Sequence, residues 1–187
     1  MHTRQDFWLR LLHAALALFT SFQLLSPLWM SDPGSQWLFP WHRLLGALTA
    51  LLVLLFWLHG YAMQSTGRLF PWGTTGRQQV QADLAGLLRG RLPAVETAGG
   101  LSALVHGLGL LAISGSAITG MMMFAMIPPG HVGPPADGLA FTRWTLLHKS
   151  CSQLLWWYCA GHVAMALLQQ WRGQRVLQIF RLSQHSD

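Results

Sequence analysis

Four stretches of the chain stay apolar for more than twenty residues, over about 8–30, 41–63, 101–127 and 144–169. Each is long enough to cross roughly 30 Å of hydrocarbon as a helix. Between them lie SDPGSQWLFP, a long stretch within 64–100, and PPGHVGPPADG. Proline and glycine cluster in these connections, as turn chemistry requires. The pattern predicts an all-α membrane protein, a four-transmembrane-helix bundle in one domain over residues 1–187. No convincing small-residue cleavage motif follows the first apolar run, so it is expected to remain as a span. Within the long connection, Val80, Leu84, Leu87 and Leu88 fall at helical spacing and predict a short interfacial helix. Tryptophans at 8, 29, 37, 41, 72, 144 and 171 gather near the span ends, where an aromatic belt would sit.

Composition agrees. Charged residues make up 10% of the chain and hydrophobic residues 52%, with a mean hydropathy of +0.35. A soluble domain carries roughly 25% charge. The net charge is +6, which in a soluble protein would raise nucleic acid as a partner. Here the basic residues sort by side. Arg4, Arg10, Arg68, Arg77, Arg89, Arg91, Arg172, Arg175 and Arg181 are nine of the twelve, and all belong to one side of the four-span arrangement. The positive-inside rule then places both termini and the 64–100 loop in the cytoplasm. Topology accounts for the basic balance, and no nucleic-acid partner is implied. Cys151 and Cys159 lie eight residues apart on one predicted helix. That is about 12 Å along the axis, too far for a disulfide, so both read as buried thiols.

Polar side chains inside a membrane are costly and by default mark function. His13, His42, His59, His106, His148 and His162 all lie in or at the ends of the spans, whereas His2, His131 and His185 lie in tails or a loop. A single such histidine is as readily a packed imidazole bonded to a carbonyl. The depths carry more. His148 and His162 are fourteen residues apart, about 21 Å and close to four full turns, so both leave the same helix face. His42 matches His148 in depth near the outer surface, and His13 matches His162 near the inner one. Two imidazole pairs result, each drawn from two helices. Zinc calls for four ligands, and no carboxylate occurs in any span. Haem iron is satisfied by two axial imidazoles, and its porphyrin fills apolar space between helices. The pattern predicts two b-type haems, the outer on His42/His148 and the inner on His13/His162.

Neighbouring residues are open to two readings each. Gly46, four residues after His42, gives either close approach to a flat macrocycle or helix packing. Arg10, Arg43 and Lys149 either pair with haem propionates or snorkel to the headgroups. His59 and His106, near the inner ends of the second and third spans, suit a quinone pocket, a propionate contact, a third ligand pair or packing. Met121, Met122, Met123 and Met126 read as adaptable packing, with a thioether ligand as the rival.

These residues resemble the four-helix, di-haem cytochrome b superfamily, which includes bacterial cytochrome b561 and the cytochrome b subunits of NiFe hydrogenase and formate dehydrogenase. The resemblance covers nearly the whole chain. It rests on His13 in the first span, HRLLG (His42 and Gly46) opening the second, and His148 and His162 fourteen apart in the fourth. LLRGRLP before the third span and the Thr119–Gly120 pair within it look like the hydrogenase-type branch. Where that branch often carries a Gly-His-Asn-Pro-type turn, this chain reads ETAGG over 96–100. The resemblance implies transmembrane electron transfer between a quinone pool and a periplasmic partner, a cytochrome or a dehydrogenase. It also implies a multi-pass place in the bacterial inner membrane, surrounded by lipid, with quinone meeting the inner haem. The alternative it implies is a self-sufficient superoxide:quinone oxidoreductase of the cytochrome b561 type, whose anionic substrate would be steered by Arg43, Arg143 and Lys149.

Overall fold

The computed structural model describes residues 2–30, 32–63, 69–92, 100–128 and 138–174. The described residues hold no strand. Five helices account for most of them: α1 (His2–Leu25), α2 (Leu38–Ala62), α3 (Thr74–Leu88), α4 (Gly100–Met126) and α5 (Leu139–Trp171). A short helical turn, Pro27–Met30, extends α1 after a break at Ser26. Pro27 causes the break, because it has no N–H to give to the preceding turn. A 3-10 turn, Pro33–Ser35, leads on to α2.

Three of these segments are long and apolar enough to cross a membrane: Phe7–Met30, Leu38–Ala62 and Gly100–Met126. The fourth predicted span is a helix of 33 residues, longer than the apolar pattern implied, yet it is not among them. The reason lies in its middle. His148, Lys149, Ser150, Ser152, Gln153 and His162 dilute the apolar residues around them. The helix expected within the long loop is present as α3. Most of the ETAGG turn, His131 and His185, together with Arg68, Arg175 and Arg181, lie outside the described residues.

Backbone packing is closest between α4 and α5, then between α2 and α4 and between α1 and α2, and α3 lies on α4. No comparable packing joins α5 to α1 or α2. The buried apolar core is Leu24, Val53, Leu110, Ile113 and Leu155. Leu155 is seven residues from both His148 and His162, so the core fills the middle of the bundle, between the two histidine levels. The outer surface is apolar: Leu18 is 70% exposed, Leu51 51% and Leu154 64%. Such a surface is solvated by lipid and would aggregate in water.

Two devices fix the end of the bundle that carries His13, His106 and His162. Gly100 opens α4 with φ +64 and leaves room for Asp83 of α3. The Leu101 N–H donates to Asp83 Oδ2 at 2.9 Å, satisfying one of the N–H groups that a helix start leaves open. Gly107 of α4 lets the Leu69 carbonyl and the Phe70 ring lie against the helix. Phe70 in turn stacks between Trp57 and Trp72, at centroid distances of 6.4 and 6.1 Å. Trp57 Nε1–H donates to Ser114 Oγ at 2.9 Å, so the aromatic column is tied to α4 as well.

Candidate functional site

The outer level is built from the break at Ser26. This side chain is 3% exposed, and its Oγ hydrogen-bonds with His42 Nδ1 at 2.9 Å. One turn earlier on α1, Gln23 Nε2–H donates to the His42 carbonyl at 3.0 Å. The Gln23 side chain also occupies the space beside Gly46, where an added Cβ would stand 3.4 Å from its Oε1. The end of α1 is thus clasped to the start of α2 around His42.

His148 reaches the same level from α5. Its Nδ1–H donates to the Ser116 carbonyl at 3.1 Å, with Thr119 Oγ1 also at 3.1 Å. Thr119 gives its own hydroxyl hydrogen to the Gly115 carbonyl at 2.7 Å, which leaves its oxygen to accept from the imidazole. Gly120 makes room for the ring, since a Cβ there would lie 3.2 Å from His148 Cε1. A carbonyl can only accept, so Nδ1 carries the proton and Nε2 keeps its lone pair. The His42 and His148 ring centroids are 6.4 Å apart at an interplanar angle of 84°.

The inner level has the same spacing and more company. His13 and His162 are also 6.4 Å apart between centroids, at 52°. His162 meets two further rings. Tyr158, one turn earlier on α5, stacks on it at 5.4 Å and 20°. His106 of α4 stands edge-on to it at 5.1 Å and 87°. His106 Nδ1–H donates to the Ser102 carbonyl at 2.7 Å, which orients the ring. Tyr158 needs Gly109 opposite it, because any Cβ there would collide with its ring. Among the described residues, no three His, Cys, Asp or Glu side chains converge as a metal-ion site would require.

The structure therefore brings together His42 with His148 and His13 with His162, and it adds His106 to the inner level. It does not bring His59 to His106: His59 sits half-buried in the last turn of α2, and no ring contact joins the two among the described residues. Arg43 lies between aromatic rings, its Cζ 4.7 Å from the Phe124 centroid and 5.8 Å from that of Phe39. Arg10 is half-buried and Lys149 exposed. The methionines lie at the outer end of α4, with Met121 and Met122 exposed and Met123 and Met126 half-buried.

The sequence reading missed Ser26, Ser116, Thr119 and Tyr158 as companions of the imidazoles. Tyr158 was open to it by the four-residue spacing from His162 on one helix face. The contacts of Ser26, Ser116 and Thr119 cross between helices and left no such signal.

A family model described as prokaryotic cytochrome b561 matches residues 4–181. The chain belongs to the prokaryotic cytochrome b561 family. No curated protein and no solved structure matches it. Membership carries b-type haem binding and transmembrane electron transfer, and it agrees with the apolar helices of a multi-pass membrane protein. In this cytochrome, every span-borne imidazole assigned to iron from the sequence lies in one of the two paired levels.

Proposed function

We propose that this cytochrome carries single electrons across the bacterial inner membrane between the quinone pool and a periplasmic redox partner, on two b-type haems. The outer haem is held by His42 and His148, the inner by His13 and His162. The observation that carries the reading is the equal 6.4 Å spacing of the two imidazole pairs. A metal–imidazole bond is about 2 Å, and a ring nitrogen lies roughly 1.1 Å from its ring centre, so two imidazoles on opposite sides of one metal stand about 6 Å apart. Two further facts support the fit. Nδ1 of His148 is bonded away, which leaves Nε2 for iron. And α5 reaches α1 and α2 through these imidazoles without comparable backbone packing, as a site that must admit a porphyrin requires.

When bound, haem supplies one-electron chemistry at iron. The chain's own residues do the rest. The Ser116 carbonyl holds His148 in one tautomer, and Ser26 and Thr119 help orient the outer imidazoles. Tyr158 and His106 hold His162. Leu24, Val53, Leu110, Ile113 and Leu155 keep water out between the levels. Arg43 at the outer level and Arg10 at the inner are the cations for the propionates, with Lys149 nearer the outer headgroups. We place α5 across the membrane as a fourth span despite its polar middle, because its polar histidines face the bundle interior. Both termini are then cytoplasmic, on the side that carries nine of the twelve basic residues. Quinone meets the inner level beside His106, with His59 at the rim. A second reading, superoxide oxidation at the outer level, rests on Arg143 and Lys149, both exposed at the outer half of α5.

Pyridine haemochrome analysis of the purified protein tests the reading. Two haems per chain with low-spin, bis-imidazole spectra are expected. One haem or none overturns it.

A further inference from the structure

The face of α5 opposite its histidines is at odds with lipid. At 100° per residue, Gln153 and Trp157 point about 140° and 180° away from His148, and Ala160 and Ala164 continue the same stripe. Gln153, Ala160 and Ala164 are exposed, and Trp157 is 72% exposed. Gln153 and Trp157 flank Leu155, the midpoint between the two histidine levels, so they stand near the middle of the bilayer. No described residue hydrogen-bonds the Gln153 amide or the Trp157 indole N–H. Tryptophan otherwise gathers at the membrane surfaces, and an unpaired amide in hydrocarbon is costly. A groove of about 340 Å³, lined by Gln153, Trp156, Trp157 and Ala160, runs along this face.

We infer that this face of α5 is an intramembrane interface for a second copy of the chain. The inference rests on α5 being a span. The carboxamide is what selects a second copy over other occupants. It is both donor and acceptor, so two of them satisfy each other reciprocally, and the indole N–H adds a donor to the same self-complementary set. Two copies inserted with the same topology meet about an axis normal to the membrane. Their α5 helices then run parallel and residues of equal depth face one another, Gln153 to Gln153. Ala160 and Ala164 let the backbones come close on the inner side of that contact. The histidines point away from the interface, so each chain keeps its own pair of levels.

Cysteine cross-linking in native membranes tests this, on a chain with Cys151→Ser and Cys159→Ser whose haem spectrum is first shown to be intact. Gln153→Cys is expected to give a disulfide dimer on mild oxidation. Leu48→Cys, exposed at similar depth on α2, is expected to give none. In detergent, Gln153→Leu is expected to weaken dimerisation about tenfold, while Gln153→Asn keeps most of it. No dimer from Gln153→Cys, or a cross-link only to a different protein, overturns the second copy. Labelling of Gln153→Cys by a membrane-impermeant maleimide in intact membranes overturns it for another reason, that α5 is not embedded, and so separates that failure from the first.

Discussion

The two histidine levels share one spacing, but they are held differently. At the outer level each imidazole is anchored through Nδ1 by a short polar side chain or a carbonyl on a neighbouring helix: Ser26 for His42, Ser116 and Thr119 for His148. At the inner level His162 is held by rings, Tyr158 on its face and His106 at its edge. The outer arrangement is a set of directional bonds clasped by Gln23 across the α1–α2 junction. The inner one is a cluster of aromatic contacts beside the aromatic column at Phe70. Directional bonds fix orientation, and at His148 the carbonyl also fixes the tautomer. Ring contacts leave orientation softer but place a third imidazole within reach of whatever approaches the inner level. Under the function proposed above, the outer level only passes electrons and the inner level also meets a small molecule.

The largest test of this contrast removes one level at a time. His42→Ala or His148→Ala is expected to drop the haem count from two to one per chain, with identical spectra for the two variants. His13→Ala and His162→Ala should form the complementary set, losing the inner component. Pyridine haemochrome counts and reduced-minus-oxidised spectra read both. If His42→Ala and His162→Ala instead gave matching spectra, the pairing by depth would be wrong.

A smaller effect separates bonded from stacked anchoring. Thr119→Val and Ser26→Ala remove polar partners from the outer imidazoles and nothing from the inner ones. Loss of such supporting bonds at metal sites typically costs about 10- to 100-fold in affinity. The outer haem is therefore expected to be retained more weakly in both variants, as read by haem loss to apomyoglobin, with the inner rate unchanged. Tyr158→Leu should act the other way round. Equal effects on both levels would show that the difference in anchoring has no consequence.

Much of this was legible in the sequence because depth is. Residue count along an apolar run converts directly to height in a membrane, so His42 and His148, or His13 and His162, could be matched without coordinates. Direction around the bundle is not legible in that way. The hydrophobic runs of this chain are apolar on nearly every face, so they do not tell which helix each face meets. That is why Ser116 and Thr119 went unassigned and why His106 was placed near the inner level but not against His162. The fourth helix shows the converse. Its histidines drew attention to α5, yet those histidines, with Lys149 and Gln153, are what take it below the apolarity of its three companions.

A further effect tests the contact between α3 and the start of α4. Asp83 accepts the Leu101 N–H at the start of α4, one residue before Ser102 and five before His106. Removing an N-terminal cap costs about 1 kcal/mol. Asp83→Ala is therefore expected to lower the thermal midpoint of the purified cytochrome by a few degrees, with both haems retained. Asp83→Asn, which keeps an acceptor oxygen, should recover most of the loss. A loss of the outer haem in Asp83→Ala would contradict the separation of the two ends of the bundle.

The finest test asks whether the third imidazole makes the inner level a quinone site. His106 is exposed, its Nδ1–H is committed to the Ser102 carbonyl, and its ring stands perpendicular to His162. It thus offers Nε2 at the rim of an apolar region, the kind of polar contact a quinone head needs. His59 offers a second group from α2, at the last turn of the helix and, among the described residues, without contact to the His162 cluster. The roles should then be unequal. His106→Leu is expected to slow reduction of the haems by a quinol analogue several-fold, with both haem bands intact and chemical reduction by dithionite unchanged. His59→Leu should slow it less, and the double variant little more than His106→Leu alone. Stopped-flow absorbance at the haem bands separates these cases. Unchanged quinol kinetics in the double variant would move the quinone to the outer level. The exposed Arg143 and Lys149 would then favour the anion-oxidising enzyme over the relay.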